Sequence, residues 1–189
     1  MPFKPVEGKG NSGFLGIRPL TLISFEEDKS KGFDVFLRVN VLQEGSKFEQ
    51  DFAILGNFEK NSDGTILLSS LVKTINRLFD TLGDGGGIDT MGNWVTQDDT
   101  IIDDIGTYLT GKYAGGTGEY PYLAYFYKKP VKGKTYTQIW PYIVHNNNDD
   151  RETLSSFIEF IKSKGVLKEA HGTVETVTTP GTIPYNGQF

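Results

Sequence analysis

Residues 33–43 read FDVFLRVNVLQ, and their side chains alternate without a break. Val35, Leu37, Val39 and Val41 fall on one face, and Phe36, Arg38 and Asn40 on the other. A period of two belongs to a β-strand with one buried face, and a slip of a single residue would turn all four aliphatic positions to water. The stretch therefore predicts a half-buried sheet around which the rest must be arranged. The preceding run FLGIRPLTLISF, residues 14–25, is apolar, and Pro19 predicts an edge or bent strand, because proline cannot donate to a ladder. The polar turn EEDKSKG separates these two runs. After a second turn, EGS, the run KFEQDFAIL at 47–55 places Phe48, Phe52 and Ile54 on one face. A three-strand meander results.

The period then changes from two to about 3.6. In LLSSLVKTINRLFDTLG the residues Leu67, Leu68, Leu71, Val72, Ile75, Leu78, Phe79 and Leu82 form one helical stripe, and Gly83 stops it. GDGGGIDTMGNW reads as loop, DDTIIDDIGTYLTG as a short capped helix ending at Gly111, and AGGTGE as a break. Two further strands follow, 122–129 and 135–144, joined by the turn KPVKGK. DDRETLSSFIEFIKSKG opens on an acidic cap, carries Leu154, Phe157, Ile158 and Ile161 on one face, and stops at Gly165. The expectation is mainly β with helices (α+β): three strands, a helix, two strands and a C-terminal helix. That order is the one of the OB-fold, a five-stranded, partly open barrel, here with the helix between strands three and four. The same elements are compatible with an α+β sandwich.

At 189 residues the chain suits one domain at 14–168, with an acidic, glycine-rich insertion at 83–119. A flexible arm at 1–13 and an extended tail at 169–189 flank it. The net charge of −5 argues against a protein that coats duplex DNA by charge alone. Charge is nevertheless segregated. Asp80, Asp84, Asp89, Asp98, Asp99, Asp103 and Asp104 fall in 80–104 with no base, whereas 120–142 carries Lys128, Lys129, Lys132 and Lys134 with no acid. With no cysteine, disulfides, thiolate zinc sites and thiol catalysis are excluded. The opening residues lack the apolar core of a signal peptide, and no run is long enough to cross a bilayer. A cytoplasmic protein is the expectation.

Catalytic chemistry has little to stand on. His145 and His171 lie in no catalytic motif, and no nucleophile elbow, zinc-protease helix or P-loop pattern occurs. The pairs Asp98–Asp99 and Asp103–Asp104 sit around the start of a short helix, where carboxylates cap free amides. DTLGDGGGIDTMG lacks the ligand spacing of an EF-hand. No enzyme activity, metal or cofactor is expected.

Residues 120–142 instead gather Tyr120, Tyr122, Tyr125, Phe126, Tyr127, Tyr136, Trp140 and Tyr142 beside the four lysines. On the last strand Tyr136, Gln138, Trp140, Tyr142 and Val144 share a face, opposite Thr135, Thr137, Ile139 and Ile143. On the strand before, Tyr125, Tyr127 and Lys129 oppose Tyr122, Phe126 and Lys128, and the pattern leaves open which side points inward. A core uses rings but has no use for lysines, whereas single-stranded nucleic acid uses both: bases stack on rings and phosphates meet cations. Candidate stacking residues are Phe36, Tyr125, Tyr127, Tyr136, Trp140 and Tyr142, and candidate phosphate contacts are Arg38, Lys128, Lys129, Lys132 and Lys134.

Over roughly 14–144, in strand order, in FDVFLRVNV and KTYTQIWPYIVHN, and in the intervening helix LVKTINRLFDTLG, the chain resembles the single-stranded DNA-binding proteins encoded by bacteriophages. The resemblance implies an OB-fold and sequence-independent binding of single-stranded DNA in viral replication or recombination, within the cytoplasm of an infected host cell. It also implies replication or recombination proteins as partners through the tail ending in Phe189, and a possible homo-oligomer. The usual tail is acidic, whereas residues 171–189 hold Glu175 as their one acid. The alternative is a phage virion component, capsid-decorating or of the tail, whose extended arms order against neighbours.

Overall fold

In the computed structural model, which describes residues 15–115 and 119–169, the meander forms as β1 (Gly16–Glu27), β2 (Val35–Gln43) and β3 (Glu49–Gly56). There follow α1 (Ser70–Leu82), the two-residue strands β4 (Gly87–Ile88) and β5 (Trp94–Val95), and α2 (Ile105–Tyr113). β6 (Tyr122–Val131), β7 (Lys134–Ile139), β8 (Val144–His145) and α3 (Asn148–Ser163) complete the order. The arm expected at 1–13 and nearly all of the tail expected at 169–189, Phe189 included, lie outside the described residues.

The architecture is mixed α+β with an antiparallel main sheet in the order β3-β2-β1-β6-β7, and β8 pairs with β6 off that path. In β2, Val35, Leu37, Val39 and Val41 are buried, as the alternation requires. In β3, Phe52 and Ile54 join them, but Phe48 precedes the strand and is 78% exposed. β3 and β7 end the sheet, and they come into contact without a ladder between them, so no closed barrel is found among the described residues.

Three local expectations are corrected. Of the edge or bent strand expected at Pro19, the edge falls away: β1 pairs with β2 through Leu20–Glu27, with a register shift between Leu22 and Ser24, and with β6 through Gly16–Leu20. Pro19 is tolerated because it lies where β2 has already turned away; its carbonyl accepts from Glu44 N at 2.9 Å, and the donor it lacks would find no strand there. The single strand expected at 135–144 is two, β7 and β8, both paired with β6. Trp140 N still donates to Tyr125 O (2.9 Å), but at Pro141 the chain folds sharply, with Tyr142 N donating back to Trp140 O at 2.7 Å. The helix expected from Leu67 begins at Ser70, because Ser69 is its N-cap and its side chain accepts from Val72 N. Leu67 and Leu68 stay exposed outside it.

α1 buries Ile75, Leu78, Phe79 and Leu82 in the main core with the inner faces of β1, β2 and β3, and with Ala124, Phe126, Ile139 and Ile143. α2 lies on β1: Thr110 Oγ1 accepts from Phe25 N (2.8 Å) and donates to Phe25 O (3.2 Å). A Cβ on Gly106 would stand 2.9 Å from Phe25 O, so only glycine permits that approach. α3 covers the other face of β6 and buries Leu154, Ile158 and Ile161 against Leu123, Tyr127, Val144 and Leu167. β6 is therefore buried on both faces in its first half. That is why its sequence shows bulky residues at successive positions instead of an alternation.

Candidate nucleic-acid interface

Past Phe126, which pairs with Gly16 at the start of β1, β6 leaves the body of the sheet accompanied by β7 alone. From Lys129 to Gln138 every residue is exposed. The two strands form a projecting arm with water on both faces. Its tip is a two-residue loop, Lys132–Gly133, with φ of 48° and 78°. Two successive positive φ values are the signature of a type I′ turn, whose twist matches that of the flanking strands.

Register assigns the arm its faces. Tyr127 opposes Gln138, Lys129 opposes Tyr136, and Val131 opposes Lys134, so these six share one side. Tyr127 lies in the cluster under α3, so this is the α3 side of the sheet. Lys128 and Thr137 oppose one another on the other side, where Lys128 Nζ donates to Thr137 Oγ1 at 3.2 Å. Among the described residues, Lys128, Lys129, Lys132 and Lys134 have no carboxylate partner. Tyr136 is 47% exposed directly across from Lys129.

The remaining candidates divide into two groups. Tyr125, Tyr127, Trp140 and Tyr142 belong to the second core beneath α3. Tyr125 and Tyr127 stack with ring centroids 6.1 Å apart, Trp140 tilts against Tyr127 at 6.5 Å, and Tyr142 meets Phe157 edge-on at 5.0 Å. Tyr127 is buried, while Tyr125, Trp140 and Tyr142 are half-buried. Lys162 Nζ donates to Tyr125 Oη at 2.6 Å, and Tyr125 Oη also donates to Glu169. Phe36 and Arg38 sit on the outward face of β2, separated from β7 by β1 and β6. Arg38 is held between Glu26 (3.9 Å) and Asp51 (3.6 Å), so its charge is already answered.

One cation that sequence reasoning passed over lies beyond the base of the arm, beside Tyr142. Arg77, on the exposed face of α1, stands over Tyr142 at 5.2 Å and over Phe157 at 5.1 Å. It has no carboxylate partner among the described residues. Beside it, Ser70, Leu71 and Thr74 of α1 and Ala53–Leu55 of β3 enclose, with Pro141, a cleft of about 190 Å³. The signal was available: Lys73 and Arg77 are like charges at i and i+4, a spacing that destabilises a helix unless an anion answers it.

The insertion holds the opposite arrangement. Asp84, 7% exposed, accepts from Tyr113 Oη (2.6 Å), Lys112 Nζ (2.9 Å), Gly86 N (2.9 Å) and Tyr108 Oη (3.1 Å). Burial alone would raise its pKa, but these donors outweigh it and hold the carboxyl down at about 2. Burial and the neighbouring Asp84 push the Tyr113 hydroxyl up to about 12. Asp89 closes its own loop by accepting from Met91 N and Asn93 N. No group of three or more metal-binding side chains occurs among the described residues. No described helix is long and apolar enough to cross a membrane.

Comparison of the chain with protein-family models, with curated proteins and with solved structures finds no match.

Proposed function

We propose that this chain binds single-stranded DNA without regard to sequence, through the projecting arm of β6 and β7. The observation that carries this reading is the arm itself: ten successive exposed positions, 129–138, bearing Lys129, Lys132, Lys134 and Tyr136, with no acid to neutralise them. A two-stranded extension with water on both sides buries little of its own surface. Concentrated like charge there costs stability unless a polyanion answers it. Phosphates on Lys129, Lys132 and Lys134 would release counterions, and Tyr136, then Trp140 at the base of the arm, would take bases on their faces. Lys128, on the other side of the arm, contributes field rather than contact.

The fold supports the same reading at a finer level. One further pairing, β3 with β7, would convert the open path β3-β2-β1-β6-β7 into a five-stranded barrel. In the OB-type architecture, oligonucleotides lie against the strands and the loop joining strands four and five. The arm occupies that loop's place, and the setting the reading carries with it is replication or recombination of viral DNA in the host cytoplasm.

Titration of tryptophan fluorescence with a thymidine homopolymer at several salt concentrations is the test. Trp140 is the half-buried reporter, and Trp94 lies in the core with Nε1 donating to Glu27 Oε1 at 3.0 Å. Joint replacement Lys132→Ala and Lys134→Ala is expected to weaken binding for every sequence and to flatten the log–log salt slope by about 1.4, at about 0.7 per lost contact. A slope unchanged from that of the unaltered chain would sink the arm as the interface. No binding at any salt would instead favour a structural role for the arm against other virion proteins.

A further inference from the structure

The α3 side of the arm does not end at its base. Tyr136 and Gln138 on β7 are followed by Trp140 and Tyr142, both half-buried. Tyr142 leads to Arg77, whose guanidinium lies over Tyr142 and Phe157 without a carboxylate partner among the described residues. The cleft between α1 and Pro141 opens beside it and is lined in part by the hydroxyls of Ser70 and Thr74. Ring, cation and hydroxyl-lined cleft are thus neighbours beyond the base of the arm.

We infer that single-stranded nucleic acid continues from the arm across Trp140 and Tyr142 into the cleft beside Pro141, where Arg77 takes a phosphate, assisted by Lys73 one turn earlier. The inference rests on the proposed binding at the arm and names its second anchor. Three features of the molecule converge on it. Arg77 and Lys73 repel one another at i and i+4, and a phosphate between them turns that repulsion into two attractions. A guanidinium held near two rings, with no carboxylate partner among the described residues, keeps N–H donors for a phosphate oxygen. Arg38, the other arginine near an aromatic ring on the sheet, is ion-paired to Glu26 and Asp51 and cannot serve without losing them.

The test compares salt slopes on a long thymidine homopolymer for the full chain and its variants. Arg77→Gln removes the charge but keeps a planar headgroup against Tyr142 and Phe157. Its slope is expected to fall by about 0.7. Arg77→Lys, which keeps the charge, is expected to retain the slope of the unaltered chain. Added to the Lys132→Ala, Lys134→Ala pair, Arg77→Gln is expected to lower the slope by a further increment of the same size. A Gln variant with the unaltered slope and an unaltered thermal midpoint overturns the second anchor, while a lowered slope in the lysine pair alone leaves the arm standing. If the unaltered chain binds no homopolymer, the arm and the anchor fall together.

Discussion

The insertion around Asp84 and the arm around Lys134 treat charge in opposite ways. Asp84 is buried and meets four donors, whereas the four lysines of 128–134 meet no acid among the described residues. In sequence 80–104 and 128–134 look alike: each is a polar, turn-rich stretch with charge of one sign. The difference teaches where charge serves structure and where it is left for something outside the chain. A carboxylate that is desolvated must be satisfied internally, or the segment unfolds. A lysine at the tip of a hairpin loses no solvation, so its charge stays available to something outside the chain.

The contrast breaks most sharply at Asp84. Asp84→Ala would leave the hydroxyls of Tyr108 and Tyr113 and the Gly86 amide without their acceptor, and Lys112 without its counter-charge. A loss of about 3–5 kcal/mol is expected, read as a lower midpoint in thermal or urea unfolding. Unchanged stability would show that the insertion is held by its apolar contacts alone.

A smaller effect follows from pH. The Asp84 carboxyl is held at about 2 in the folded chain, below its ordinary value of 3.8. Its contribution is therefore fully present above pH 3.8 and is lost as pH falls toward 2. About 2 kcal/mol of stability should disappear across that window, and Asp84→Asn should flatten this part of the profile. An equally steep profile in the Asn variant would assign the acid sensitivity to other carboxylates.

The arm should show almost no stability effect at all. Tyr136→Ala removes a ring with water on one side, so the thermal midpoint should stay where it is. Affinity for single-stranded DNA should fall by about 1–3 kcal/mol. A fall in the midpoint without a fall in affinity would place Tyr136 among the structural rings, beside Tyr127, and remove the distinction between the two regions.

The sequence by itself determined the meander, α1, α3 and the segregation of charge, because each is written in local order. A period of two in 35–41, a period near 3.6 in 71–82, Gly83 as a stop, and four lysines without an acid are properties of neighbours along the chain. Only the tertiary structure decided which rings are open. Tyr127 and Tyr136 differ little in sequence surroundings, yet α3 arrives from 148–163 to bury the first and leaves the second at 47% exposure. The place of Pro19 in the sheet depends on where β2 stops, and the burial of Asp84 on side-chain donors from a helix more than twenty residues away. Burial is set by what packs from afar, whereas period and charge are set by what stands next in line.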